Sequence, residues 1–173
     1  DLYGMNEGQL KEVRKQIGML FQGSALFDSK TVKENVQFPL DMFTNFTTLE
    51  KEKRVDEVLE RVRIEGAHLK SPSEISGGMK KRVALARAIV LNPKYLFCDE
   101  PNSGLDPNTA ILIDNLIQEI TDEYQITTVI NTHDMNSVME IGDKIVFLKD
   151  GVKAWEGTNK EIFKTDNEAV VKF

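Results

Sequence analysis

The chain has 173 residues, 40% hydrophobic and 29% charged, with 22 basic against 28 acidic residues and a formal net charge of −6; this is the composition of an ordinary soluble globular protein of one domain or two small ones. The acidic balance argues against broad nucleic-acid binding, which relies on Lys and Arg to neutralise phosphates, and the single cysteine, Cys98, has no internal disulfide partner and suits a reducing compartment. No apolar run approaches the ~20 residues of a transmembrane helix and no signal-peptide pattern opens the chain, so a role at a membrane would run through a partner.

In chain order, Asn6 with Gln9 marks the start of a short helix that ends before Gly18. Gln16 to Gln22 reads as a strand. Thr31 with Glu34 is a capping-box spacing, and Pro39 is expected to limit the helix it opens. Thr47 with Glu50 opens another, with Val55, Val58, Leu59 and Val62 in one buried stripe. Gly78 to Leu91 is a third, rich in Ala and Leu and stopped by Asn92-Pro93. From Tyr95 the pattern alternates between strand and helix. Tyr95–Cys98 is wholly apolar, as expected for a parallel sheet covered on both faces. Asp106-Pro107 starts a helix that buries Ile113, Leu116, Ile117 and Ile120. Ile126–Ile130 is a strand, and Met135 to Ile141 a helix. Lys144–Leu148 and Val152–Trp155 flank the turn Asp150-Gly151 as a hairpin. Thr158 with Glu161 caps the last helix. The result is an α/β fold with a helical insertion.

Three stretches carry phosphate-type chemistry. Asp99 and Glu100 follow an apolar strand, which places them at the carboxyl edge of the sheet, where open α/β folds bind ligands. Adjacent side chains on an extended segment point to opposite sides, so one acid can face Mg²⁺ and the other an attacking water. An isolated Asp-Glu pair, however, most often only caps the next turn. Ser76-Gly77-Gly78 lets a helix start approach a ligand closely and exposes N–H groups at the positive end of the helix dipole; Gly-Gly alone is usually a plain junction. Gln22 after its strand, His133 after Ile126–Ile130 and Asp106 at its helix start are individually weak candidates. Cys98 reads as a small core filler, and Lys80-Lys81-Arg82 as the solvated face of its helix.

The order of these features resembles the ATPase subunit of ABC transporters. On that resemblance Gln22 matches the Q-loop glutamine, Ile75 to Met79 the signature motif, Tyr95 to Glu100 the Walker B strand with its catalytic glutamate, Ser103 to Asp106 the D-loop, and His133 the switch histidine. It implies a P-loop NTPase-like, mostly parallel sheet, with residues 1–24 and 91–173 as the α/β core and 25–90 as a helical subdomain. It also implies ATP and Mg²⁺ as cofactors. Glu100 and His133 would be catalytic, and Asp99 and Gln22 would bind ATP and Mg²⁺. Ser76, Gly77, Gly78 and Met79 would meet the ATP of a facing copy in a head-to-tail homodimer, with Asp106 at the contact. Transmembrane permease subunits would be partners, placing the protein in the cytoplasm at the inner face of the cell membrane. The run Phe21-Gln22-Gly23-Ser24-Ala25-Leu26-Phe27 and Met79 in Ser-Gly-Gly-Met further resemble the lipid-transport branch, which works with mammalian-cell-entry (MCE) type lipid-binding proteins. A soluble ABC-type ATPase, such as a translation or chromosome-maintenance factor, is the rival reading; a non-enzymatic interaction module fits less well with Glu100 and His133 in place.

One departure stands out. The family's Walker A loop, Gly-x-x-x-x-Gly-Lys-Ser/Thr, has no match: Gly18 and Gly23 have the glycine spacing, but Ser24 stands where Lys belongs. The expectation is an N-terminally truncated fold, with the phosphate cradle before residue 1 and apolar faces that favour self-association. The 173-residue chain by itself is therefore expected to bind ATP weakly and hydrolyse it negligibly, since loss of even one phosphate donor can cost about a hundredfold. Turnover by this chain that Glu100→Gln abolishes would overturn that expectation.

Overall fold

Local hydrogen bonding sets the helix starts in the computed structural model, which describes residues 2–172. Helices α1 (Glu7–Lys15), α2 (Val32–Phe43) and α3 (Thr48–Arg61) each begin behind a complete capping box, Asn6 with Gln9, Thr31 with Glu34 and Thr47 with Glu50. Each box satisfies two N–H groups that a helix start leaves unpaired. Helix α4 (Gly77–Ile89) is capped by Ser76, and α5 (Pro107–Tyr124) by Asp106 with Pro107 in the first turn.

The chain divides into two compact units, Asp1–Asn131 and Thr132–Phe173. In the first, β1 (Ile17–Leu20), β2 (Tyr95–Asp99) and β3 (Thr127–Asn131) form a parallel sheet in that order. Ile17 lies opposite Tyr95, and Tyr95 opposite Thr127. Parallel neighbours need crossovers; α2, α3 and α4 supply the one between β1 and β2, and α5 the one between β2 and β3. Leu20, Leu96 and Cys98 share a buried cluster with Val83, Ala84 and Leu85 of α4 and with Ile113, Leu116, Ile117 and Ile120 of α5. The α3 stripe Val55, Val58, Leu59 and Val62 is buried in the same cluster, as its spacing predicts.

Two expectations about this unit change. Among the described residues of this unit, the Tyr95–Cys98 strand is covered on one face only. Alternate side chains point to opposite faces; Leu96 and Cys98 meet the helices, whereas Met19, Tyr95, Phe97 and Val129 stay 39–50% exposed. Pro39, expected to limit its helix, instead lies inside α2. A proline there costs about 3 kcal/mol through its missing N–H and ring clash. Val36 before it and Leu40 after it are both fully buried, and burying each such side chain is worth about 1.5–3 kcal/mol. The helix therefore continues to Phe43, where the Thr44 N–H and hydroxyl both donate to the Leu40 carbonyl at 3.0 and 2.7 Å.

The second unit holds α6 (Met135–Ile141) and an antiparallel hairpin, β4 (Ile145–Lys149) with β5 (Val152–Gly157). Asp150 and Gly151 both take positive φ, 52° and 77°, as a two-residue hairpin turn of this hand requires. Thr158 does pair with Glu161, donating from its N–H at 2.8 Å and its hydroxyl at 2.9 Å to the Glu161 carboxylate, but only a 3₁₀ turn follows at Ile162–Lys164. Thr165, Asp166 and Asn167 come next, residues whose side chains compete for the backbone and favour turns. The final helix, α7 (Glu168–Val171), is capped by Asn167 instead. Among the described residues no helix is long and apolar enough to cross a membrane.

Strand β1 meets α4 at its tightest point at Gly18. A Cβ there would run into the Ala88 carbonyl oxygen and lie 3.2 Å from Pro93 Cγ. The obstacle is main chain and cannot rotate away, so Gly18→Ala is expected to lower stability by about 1–3 kcal/mol. Urea denaturation measures it, and an unchanged midpoint would contradict so close an approach.

Candidate functional site

The parallel register brings the ends of β1, β2 and β3 to one edge, and three polar candidates of the first unit, Gln22, Asp99 and Glu100, are tied together there. Asp99 ends β2 opposite Asn131, whose Nδ2 donates to Asp99 Oδ1 at 2.8 Å. Glu100 follows in a left-handed conformation, φ 45°, with its N–H donating to the Asn131 carbonyl at 2.8 Å. Its carbonyl accepts from the Ser103 N–H at 3.2 Å, which folds 100–103 into a turn. Gln22, two residues past β1, donates from Nε2 to Ser103 Oγ at 3.2 Å. That bond leaves the amide oxygen of Gln22 as its ligand-type atom. Gln22, Asp99 and Glu100 are thus linked through Ser103 and Asn131.

The basic run of α4 departs from expectation. Lys81 is not on a solvated face: it is 4% exposed, and its Nζ donates to the Gln22 carbonyl at 2.5 Å and to the Glu100 carbonyl at 3.1 Å. Burial lowers the ammonium pKa, against the opposing pull of Glu100 and Asp99. Arg82 Nη1 donates to the Arg63 and Val62 carbonyls at the end of α3. Arg87, further along, donates to the Ala25 and Ser24 carbonyls at 2.7 and 2.8 Å and lies over the Phe27 ring.

Ser76, Gly77, Gly78 and Met79 form the α4 start. Ser76 Oγ accepts from the Met79 N–H at 3.2 Å, while the N–H groups of Gly77 and Gly78, at the first two positions, have no intrahelical acceptor. This start sits against the segment before and into α5. A Cβ on Gly78 would lie 2.5 Å from Thr109 Cγ2, and one on Gly77 3.7 Å from Leu105 Cδ2. Asp106 caps α5 through the Thr109 N–H at 3.1 Å and hydroxyl at 2.5 Å; these bonds, the hydroxyl's foremost, hold its carboxyl below the usual range. His133 is exposed in the second unit, two residues past β3 and just before Asp134, the cap of α6. Burial pushes the Cys98 thiol up to about 12, which keeps it protonated and agrees with its reading as core filler.

Asp99 and Gln22 offer hard oxygens of the kind Mg²⁺ takes. Among the described residues no three or more His, Cys, Asp or Glu gather into an all-protein metal cage. Such oxygens suit a cation held by one or two protein groups, water and phosphate.

Sequence reasoning missed Lys81, Arg87 and Asn131. A signal for Lys81 was present: Lys81, Ala84, Leu85 and Ala88 stand at i, i+3, i+4 and i+7, the buried stripe of α4. Asn131 is visible only once the register sets it beside Asp99.

The sequence profile described as "ABC transporter" matches residues 3–103. Methionine import ATP-binding protein MetN 1 of Oceanobacillus iheyensis is 44% identical over 172 residues, which is 99% of this chain and 51% of that protein. MetN of Clostridioides difficile is 38% identical over 99% of this chain and 53% of its own length. The chain thus spans about half the length of these curated relatives. Among solved structures, cbiO1 from Clostridium perfringens, part of the ABC transporter complex cbiONQ, superposes with a TM-score of 0.83 at 35% identity, covering 96% of this chain and 66% of that one. The ATP-binding cassette MJ0796, a dimer bound to ADP and Pi, gives a TM-score of 0.80 at 32% identity, covering 90% and 68%. The fold is that of the ABC ATPase cassette in part, and the chain belongs to the ABC transporter family.

Proposed function

We propose that the intact protein is the ATP-binding, ATP-hydrolysing subunit of an ABC transporter. The observation that carries this reading is the bonded group Gln22–Ser103–Glu100 with Asp99–Asn131 at the carboxyl edge of the sheet. ATP and Mg²⁺ are its cofactors; Mg²⁺ when bound neutralises charge on the phosphates. Asp99, oriented by Asn131, would hold the cation. Glu100 orients or deprotonates the attacking water. Gln22 contacts the γ-phosphate side of the site, and His133 steadies charge there. Ser76, Gly77, Gly78 and Met79 serve the ATP of a facing copy in a head-to-tail dimer, with Asp106 at the contact. Residues 25–90 act as the helical subdomain.

Permease subunits are the membrane partners, and the protein lies peripherally on the inner face of the membrane. A groove of about 300 Å³ bounded by Phe27, Phe38, Pro39, Phe43, Arg87 and Leu91 suits a short amphipathic segment of a permease. Methionine is the first reading for the transported substrate, because the curated relatives quoted above are named for methionine import. None of those names mentions a lipid. Phospholipid, with an MCE-type partner, is the second reading, carried by Met79 in the signature segment and by Phe21–Phe27.

In the full-length subunit, Glu100→Gln is expected to lower ATP turnover at least about a hundredfold, the scale of a lost general base, while ATP binding persists. Undiminished turnover would remove Glu100 from the chemistry. The reconstituted transporter separates the substrates: uptake of labelled methionine driven by ATP supports the first reading, and movement of labelled phospholipid without methionine uptake supports the second.

A further inference from the structure

We infer that Lys81 is a positioning residue, whose ammonium braces the main chain of Glu100 and locks it to the loop that carries Gln22. This rests on the ATPase reading above. Both hydrogen bonds of the ammonium end on main-chain carbonyls, those of Gln22 at 2.5 Å and Glu100 at 3.1 Å. Each carbonyl belongs to a residue just past a strand end whose side chain is a candidate for the chemistry. The two loops lie far apart in sequence, and Lys81 reaches both from α4.

The local backbone explains why a brace is needed. Glu100 is a non-glycine residue at φ 45°, a conformation that persists only where its surroundings over-determine it. Asn131 accepts its N–H, and Ser103 and Lys81 donate to its carbonyl. The Ser103 bond is internal to the turn, so Lys81 anchors that carbonyl to a separate rigid element. A residue that only filled the space would be apolar, since burying an ammonium is costly and Ala84, Leu85 and Ala88 surround it on the same stripe. The same helix repeats the device: Arg87 holds the carbonyls of Ser24 and Ala25, which also have positive φ, 63° and 47°. Two cations of α4 thus hold the 22–25 loop, and one of them also holds Glu100. The ammonium acts through the main chain, so its loss changes where the Glu100 carboxylate sits relative to Gln22 while leaving nucleotide contacts in place.

The test uses the full-length ATPase subunit at saturating Mg²⁺, with wild type and Glu100→Gln as references. Lys81→Met removes the charge and the donors at similar volume. It is expected to lower kcat about tenfold, a part of what a well-placed general base contributes, with KM for ATP within about twofold of wild type. Lys81→Arg restores donors that reach both carbonyls and is expected to return kcat to within about threefold. Amide hydrogen exchange over residues 22–25 and 100–103 is expected to quicken in Lys81→Met and stay near wild type in Lys81→Arg. An unchanged kcat, a KM that rises as kcat falls, or a Lys81→Arg as impaired as Lys81→Met overturns the inference. Should Lys81→Met fail to fold, Lys81→Gln carries the same comparison under the same criteria. If Glu100→Gln keeps full turnover, the ATPase reading has failed, and the exchange measurement alone decides the brace: unchanged exchange in Lys81→Met overturns it.

Discussion

Cationic side chains that end on main-chain oxygens hold the irregular parts of this fold. Seven described non-glycine residues have positive φ: Ser24, Ala25, Arg63, Asn92, Glu100, Gln125 and Asp150. Four of them are held at the carbonyl by a Lys or Arg, and a fifth at its side chain. Arg87 takes the carbonyls of Ser24 and Ala25, Arg82 that of Arg63, Lys81 that of Glu100, and Arg54 the side-chain oxygen of Asn92. A left-handed residue turns its carbonyl out of the regular ladder and needs a donor from elsewhere. Long cations reach that far and carry no acceptor of their own to compete. Where such a bond is part-buried, as at Glu100 and Ser24, it contributes about 1.5–3 kcal/mol, comparable to the roughly 1–3 kcal/mol of strain at such a position.

Three of these cations project from one helix, and the sheet depends on it. α4 packs against β1, α2, α3 and α5, and Val83, Ala84, Leu85, Ala86 and Ile89 are fully buried. The small residues allow the approach: Ala88 admits Gly18 on one side, and Gly78 admits Thr109 on the other. The polar ends of the strands then fall into register without further help. Asp99 meets Asn131 because β2 and β3 pair in parallel with those two residues opposed. Gln22 reaches Ser103 because the turn after Glu100 folds back.

The legible part of this arrangement is local. Capping boxes at Asn6, Thr31 and Thr47, the Asp106-Pro107 start and the Asp150-Gly151 turn are short-range hydrogen-bond signals, and the first four open helices where their spacing predicts. Where packing decides, the sequence is less direct. Pro39 reads as a helix limit because its cost is local, whereas Val36 and Leu40, which offset it, act through α3 and α4. Thr158 with Glu161 makes its bonds but has no apolar stripe after it to extend a helix. The polar positions at or just past the strand ends, Gln22, Asp99 and Glu100, were legible from apolar runs that stop near polar residues, although β1 itself ends at Leu20. Their links to Asn131 and Lys81 were not, because both partners lie far off in sequence, and Lys81 looks solvated beside Lys80 and Arg82.

The position of Lys81 on α4 also bears on how the two ends of the site are related. Ser76 caps α4 and Lys81 lies five residues on, about 7.5 Å along the axis at 1.5 Å per residue. The start of the helix is wedged against Leu105 and Thr109, and its next turn holds Glu100 and Gln22 by their carbonyls. A close-packed interior yields little to sliding, since even sub-ångström gaps forfeit contact energy. The Ser76–Gly78 start and Lys81 therefore belong to one packed helix, which Lys81 bonds to the Glu100 carbonyl. In the head-to-tail arrangement proposed above, the start of α4 would serve the facing copy's ATP and Glu100 its own. On that arrangement the helix whose start would face the partner's ATP is also the one that holds the Glu100 carbonyl, five residues on from Ser76.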